Sequence, residues 1–108
     1  MSDGARLLVV GAGGLGSPLS LALAADPRIA QITLIDPDAV ELSNLHRQIL
    51  LTSAMIGMPK VHAASAVLQR RCPRTQGSAP SLRIDARAER LTADNGPSLL
   101  RAHDLVID

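Results

Sequence analysis

The chain has 108 residues, 46% of them hydrophobic and 19% charged, with a net charge of +1. That size supports a single domain, here 1–108, with a genuine core. Near-neutrality and the absence of Phe, Tyr and Trp exclude a nucleic-acid surface built on basic stripes or base-stacking platforms. No apolar run approaches the roughly 18 residues of a membrane span, and nothing like a signal peptide precedes the first apolar segment. The lone Cys72 forbids an internal disulfide, so the cytoplasm is the expected compartment.

Arg6 to Val10 is a short, nearly continuous apolar run ending at Gly11, the pattern of a strand buried on both faces. Pro18 suits the first turn of a helix, which runs through "LSLALAA" and stops before Asp26–Pro27. "QITLI" (31–35), rich in β-branched residues, predicts a second strand closed by Asp36–Pro37. A long polar connection follows, with a short helical turn expected around Leu42–His46. Pro59 opens a second main helix, on which Val61, Ala64 and Leu68 recur at the spacing of a sheet-facing stripe. "CPRTQGSAP" (72–80) reads as a surface loop, and "SLRIDAR" (81–87) alternates like a half-buried edge strand. Thr92 is a candidate cap for a third helix, with Gly96 and Pro97 as interruptions, and "DLVID" (104–108) is a fourth strand. This β-α-β-α-β-α-β order predicts an α/β, Rossmann-like parallel sheet with helices on both faces and strand order 3-2-1-4. Strand four belongs inside such a sheet, yet the chain stops on it. The expectation is therefore a piece of a longer protein.

"GAGGLG" satisfies G-x-G-x-x-G through Gly11, Gly13 and Gly16. These glycines permit the tight turn, the approach of a ligand to backbone and close helix–strand packing. Asp36 ends the second strand 20 residues beyond Gly16, in place to accept hydrogen bonds from ribose hydroxyls. Ribose is common to NAD, FAD and ATP, so the loop and Asp36 alone favour a generic dinucleotide-binding domain such as the NAD(P) domain of an oxidoreductase, with a tight turn that binds nothing as the minor alternative. The stretch after Asp36 separates these readings. Ser43, Asn44, Arg47 and Gln48 share one short polar run, and Lys60 stands at a helix start. A cation there faces the positive end of the helix dipole, mildly unfavourable by roughly 0.3–1 kcal/mol unless an anion is bound nearby. Arg47 offers a planar donor fork and Lys60 a mobile point charge, a set suited to a triphosphate.

"VVGAGGLGSP", "LIDPDAVELSNLHRQIL" and "IGMPKVHAA" together resemble the ThiF/MoeB/HesA family, which is similar to the adenylation domains of ubiquitin-activating enzymes. The resemblance spans about Arg6 to Asp108. It implies ATP-dependent adenylation of the C-terminal glycine of a ubiquitin-fold sulfur-carrier protein, in molybdenum-cofactor, thiamine or related sulfur-transfer pathways. It also implies a nucleotide site of Gly11, Gly13, Gly14, Gly16, Asp36, Ser43, Asn44, Leu45, His46, Arg47 and Lys60, with Arg47 and Lys60 as the catalytic cations. Gly14 falls at the nucleotide, Asp36 on the ribose, and Asn44, Arg47 and Lys60 near the phosphates, with Mg²⁺ as the accompanying ion. The family's magnesium-associated aspartate lies in a Thr-Asp-Asn motif after strand four. Its Cys-x-x-Cys zinc pairs and carrier-binding surface also lie beyond Asp108. The resemblance thus implies a homodimer for the full-length protein and no activity for residues 1–108 alone. A non-catalytic binding module of the same fold is the remaining alternative.

Other residues carry weaker signals. Arg70, Arg71 and Arg74 flank Cys72 and would lower its pKa if near it, but without a base or second cysteine Cys72 reads as a small packing residue. The arginines themselves are expected to solvate the helix end. His62 and His103 have no metal-like spacing and read as surface residues. Asp38 and Glu41 are candidates for magnesium, with loop solubility as the stronger reading.

Overall fold

A computed structural model describes residues 4–11, 18–41, 53–77 and 79–107. Four parallel strands form one sheet: β1 (Ala5–Val10), β2 (Ile29–Ile35), β3 (Arg83–Arg87) and β4 (Leu105–Ile107), in the order β3-β2-β1-β4. Three helices connect them: α1 (Pro18–Ala25), α2 (Lys60–Arg71) and α3 (Gly96–Arg101). The expected α/β class and strand order are thus the observed ones.

Alternation along β1 divides the core. Leu7 and Val9 join Ile32 and Leu34 of β2 on one face, under Ala24 of α1 and Val61, Ala64 and Leu68 of α2. Leu8 and Ile35 point to the other face, where Leu99 of α3 covers them beside Val10 and Leu91. Helices therefore cover both faces, which is why Leu7–Val10 of β1 reads as an unbroken apolar run. The remaining buried side of α2, Ala63 and Val67, packs on Val40 and Met55 of the connection after β2. β4 forms one edge of the sheet, and its Leu105, Val106 and Ile107 are exposed. No helix among the described residues is long and apolar enough to cross a membrane.

Three expectations are corrected. The 72–80 segment is not simply a surface loop: Pro73–Gln76 form a 3₁₀ turn, and Arg74 is buried rather than solvated. Its guanidinium donates to the carbonyls of Pro80 (2.6 Å), Ala24 (2.9 Å), Asp26 (2.6 Å) and Ile29 (2.5 Å). Arg70 and Arg71 do lie exposed in the last turn of α2. His103 is half-buried, its Nδ1 2.6 Å from the Leu99 carbonyl and its Nε2 2.7 Å from the Thr33 hydroxyl. A carbonyl only accepts, so Nδ1 is the donor to Leu99. Finally, Gly96 and Pro97 open α3 instead of interrupting it, since proline in a first helical turn loses no intrahelical bond. Thr92 caps the turn just upstream, its Oγ1 accepting from the N–H groups of Asp94 (3.2 Å) and Asn95 (3.3 Å). The predicted turn at Leu42–His46 lies outside the described residues.

Candidate functional site

In an open parallel sheet, ligands settle beyond the carboxyl ends of the strands, where the connections diverge. At that edge β1 ends in Gly11, which takes φ +90°, a left-handed conformation costly for any other residue. The Gly11 N–H donates to the Ile35 carbonyl at 2.9 Å, so Gly11 sits hard against the end of β2. One residue later Asp36 is 7% exposed. Its Oδ1 accepts the Asp38 N–H at 2.7 Å, and its own N–H donates to the Arg87 carbonyl at the end of β3 (3.2 Å). Both bonds aim the carboxylate from a fixed backbone.

The chain then turns toward α2. Ala39 and Pro59 form an antiparallel bridge, flanked by bonds from Val40 N–H to Met58 O (2.8 Å) and from Lys60 N–H to Asp38 O (2.8 Å). The first residue of α2 is thereby tied to the loop that leaves Asp36. No acidic residue occupies the first turn of α2, and no side chain caps it.

A cleft of about 310 Å³ lies at this edge, lined by Val10, Gly11, Ile35, Asp36, Pro37, Asp38, Arg90 and Leu91. Small-molecule sites commonly span about 300–1,000 Å³. Val10, Ile35 and Leu91 give it an apolar side; the polar remainder combines carboxylates, backbone edges and a guanidinium. Such a set suits a ligand with a flat apolar part and hydroxyls. A hollow of about 420 Å³, lined by Ala25, Arg71, Cys72, Pro73 and Arg74, is larger but chemically poorer. Arg74 has already committed its donors to carbonyls, and the Cys72 thiol is buried against the Ala24 carbonyl at 3.5 Å. Cys72 is the packing residue its context suggested.

Of the residues expected at the nucleotide, Gly11 and Asp36 come together in this cleft, and Lys60 is tethered beside it through Asp38. Gly13, Gly14, Gly16, Ser43, Asn44, Leu45, His46 and Arg47 lie outside the described residues. Asp38 lines the cleft and is exposed, and among the described residues no three His, Cys, Asp or Glu side chains gather as a metal site. Sequence reasoning missed Arg90 and Leu91. The available signal was positional: both follow the carboxyl end of the third strand, where a doubly wound sheet builds its crevice.

A family model described as the ThiF family matches residues 3–108. The chain is 43% identical over 102 residues to an adenylyltransferase and sulfurtransferase MOCS3 of Arabidopsis thaliana, covering 94% of this chain and 20% of that protein. It is 40% identical over 104 residues to a sulfur carrier protein adenylyltransferase of Thermus thermophilus, covering 96% of this chain and 35% of the relative. The chain thus spans only about a fifth to a third of these relatives' length. Among solved structures, the E. coli tRNA N6-threonylcarbamoyladenosine dehydratase TcdA superposes with a TM-score of 0.76 at 30% identity, over 96% of this chain and 41% of that one. E. coli MccB with ATP gives a TM-score of 0.66 at 28% identity, over 83% of this chain and 25% of that one.

Proposed function

The chain belongs to the ThiF family, and from that premise we propose that it is the nucleotide-binding part of an enzyme that adenylates the C-terminal glycine of a ubiquitin-fold sulfur-carrier protein. One observation carries the reading: Gly11, where the glycine-rich segment begins, and a buried carboxylate share one cleft, and a helix beginning with a cation is tied to its rim. Asp36 accepts the ribose hydroxyls. The apolar lining from Val10, Ile35 and Leu91 receives the nucleoside, and Gly11, with Gly13, Gly14 and Gly16, is assigned to the phosphates. Lys60 stands in a helix turn that has no acidic residue to neutralise it, so a bound polyphosphate supplies the missing counter-charge. Asn44 and Arg47, within 42–48, complete the anion site with Ser43, Leu45 and His46.

The chemistry asks little of side chains as acids or bases. A carboxylate oxygen of the carrier's C-terminus attacks the α-phosphorus of ATP, and the bond from that phosphorus to the bridging oxygen breaks. The electron pair leaves with pyrophosphate, and no proton is transferred. Rate then depends on alignment and on neutralising charge that builds on the leaving group, the task of Arg47 and Lys60. Magnesium, when bound, adds charge neutralisation on the phosphates. Among the described residues Asp38 is the exposed carboxylate of the cleft, with Asp36 beside it, and no group of three possible metal ligands gathers there. Nor do the described residues assemble a zinc ligand set, Cys72 being buried.

The test is carrier-dependent ATP–pyrophosphate exchange by the full-length protein, with a panel of ubiquitin-fold sulfur carriers ending in glycine. Lys60→Ala and Arg47→Ala should each reduce exchange by about 10²-fold or more, the usual loss on removing a transition-state charge contact. Near-normal exchange by either variant refutes its role. A melting shift with NAD and none with Mg·ATP refutes the nucleotide assignment in favour of an oxidoreductase domain.

A further inference from the structure

Arg90 and Leu91 form the wall of the cleft beyond β3. Leu91 is anchored from one side, packing with Leu8, Ile35 and Leu99. The polypeptide around the pair is fastened by Asn95, which does not itself line the cleft. Its Nδ2 donates to the Arg90 carbonyl at 2.9 Å and to Glu89 Oε1 at 3.0 Å. Its Oδ1 accepts the Thr92 N–H at 2.7 Å. The amide therefore grips the chain immediately before and immediately after Leu91. Both backbone partners define which atom is nitrogen and which is oxygen, since a carbonyl cannot donate and an N–H cannot accept. Upstream, Glu89 N–H donates to the Arg87 carbonyl at 2.8 Å, the same oxygen that accepts the Asp36 N–H at 3.2 Å. A continuous path of hydrogen bonds thus runs from Asn95 through Glu89 and Arg87 to Asp36.

We propose that Asn95 is a positioning residue for nucleotide binding: its side-chain amide sets the Arg90–Leu91 wall relative to Asp36. The inference rests on the reading of the cleft as an ATP site. Asn95 is a better candidate for this task than the neighbouring Thr92, whose hydroxyl bonds only within its own turn, accepting from the Asp94 and Asn95 N–H groups and donating to Asn95 Oδ1 at 3.3 Å. Only the amide reaches back across Leu91 to the Arg90 carbonyl. An isosteric change discriminates well. Asn95→Asp keeps the acceptor for Thr92 but replaces both donor contacts by an oxygen facing a carbonyl and a carboxylate.

The experiment is ATP–pyrophosphate exchange by the full-length protein carrying Asn95→Asp, with the rate measured as a function of ATP. The KM for ATP should rise about tenfold, as expected when two hydrogen bonds become unfavourable contacts, while kcat at saturating ATP stays within about twofold. Adding Glu89→Gln to that variant supplies a donor to the introduced carboxylate and should recover part of the KM. An unchanged KM overturns the proposal. So does a fall in kcat at constant KM, which marks loss of folded enzyme instead of a displaced wall. If the unsubstituted protein gives no exchange at all, the adenylation reading itself fails and Asn95 loses its role with it.

Discussion

Replacing Arg74 by methionine tests what a buried guanidinium contributes far from the candidate site. Arg74 is 8% exposed and joins the 3₁₀ turn after α2 to four other places: the end of α1, the α1–β2 turn, the first residue of β2 and the segment before β3. Methionine preserves an unbranched stem and roughly the volume, and removes every donor. Hydrogen bonds from a charged donor each contribute about 1.5–3 kcal/mol, offset by dehydration of the guanidinium, and an abandoned buried acceptor costs about 1–3 kcal/mol. The losses are unequal. The Asp26 carbonyl retains the Ile29 N–H at 3.1 Å, and the Ala24 carbonyl keeps the weak thiol donor of Cys72. With allowance for non-additivity the destabilisation is about 3–5 kcal/mol, the range typical of removing one side of a buried charged network. Arg74→Lys should lose roughly half as much, because one compact ammonium cannot reach carbonyls on separate segments. Urea denaturation measures both. With a slope of about 1.5 kcal/mol per M, Arg74→Met should lower the midpoint by roughly 2–3 M. A midpoint within about 0.5 M of the parent's would show that the carbonyls find water without penalty, and would refute the stabilising role of the buried guanidinium.

Two further outcomes follow from other charges. Asp36→Ala should weaken ATP binding by roughly 10–100-fold, and should abolish the preference for ATP over its 2′,3′-dideoxy analogue; a retained preference, read by competitive titration, places the ribose elsewhere. Folding stability should decline as pH falls. Arg28 holds Asp26 down from 3.8 to about 2, chiefly through its side-chain bonds and next through its backbone N–H. Asp104 is also lowered, first by the Arg6 N–H at 2.8 Å and then by the Arg6 side chain. A depressed carboxyl pKa stabilises the fold above the unfolded value and loses that effect as pH falls through the folded value. The loss should therefore develop between about pH 4 and pH 2, and Asp26→Asn should flatten it in urea midpoints taken across that window. A pH profile unchanged by Asp26→Asn contradicts the coupling.

Much of the fold was legible because it depends on pattern. Leu7, Leu8 and Val9 are all buried, and a run without polar alternation has no other comfortable place than the middle of a covered sheet. Val61, Ala64 and Leu68 face the sheet as their spacing demands. What escaped were residues whose environment is made by distant backbone. Arginine seldom loses its solvent, and nothing near position 74 announces that carbonyls from residues 24, 26 and 29 converge there. His103 was misread for the same reason, since its partner Thr33 lies 70 residues away. At the site, Gly11 and Asp36 were legible because a tight turn and a strand-end carboxylate have local signatures. Arg90, Leu91 and Asn95 have none: their arrangement depends on a turn whose bonds run between side-chain amide and backbone.

The two ends of the sheet use charge in opposite ways, and this separates scaffold from site. At the amino edge, Asp26 and Asp104 are held below their ordinary range, and each is locked to an arginine, Arg28 at 2.7 Å and Arg6 at 3.4 Å. A shifted carboxyl in a structure is often taken as a mark of function, but these two are already satisfied by partners two residues away or across a strand pair. At the carboxyl edge the arrangement is different in kind. Asp36 is aimed by the backbone at a strand end, Arg90 stands across the cleft on a strapped turn, and Lys60 begins a helix whose first turn offers it no acid. Asp36, Asp38 and Arg90 thus line one cleft with Lys60 tied to its rim, at the edge where the proposed nucleotide would sit. Position and the means of support, more than the size of a titration shift, single out this edge of the sheet as the candidate site.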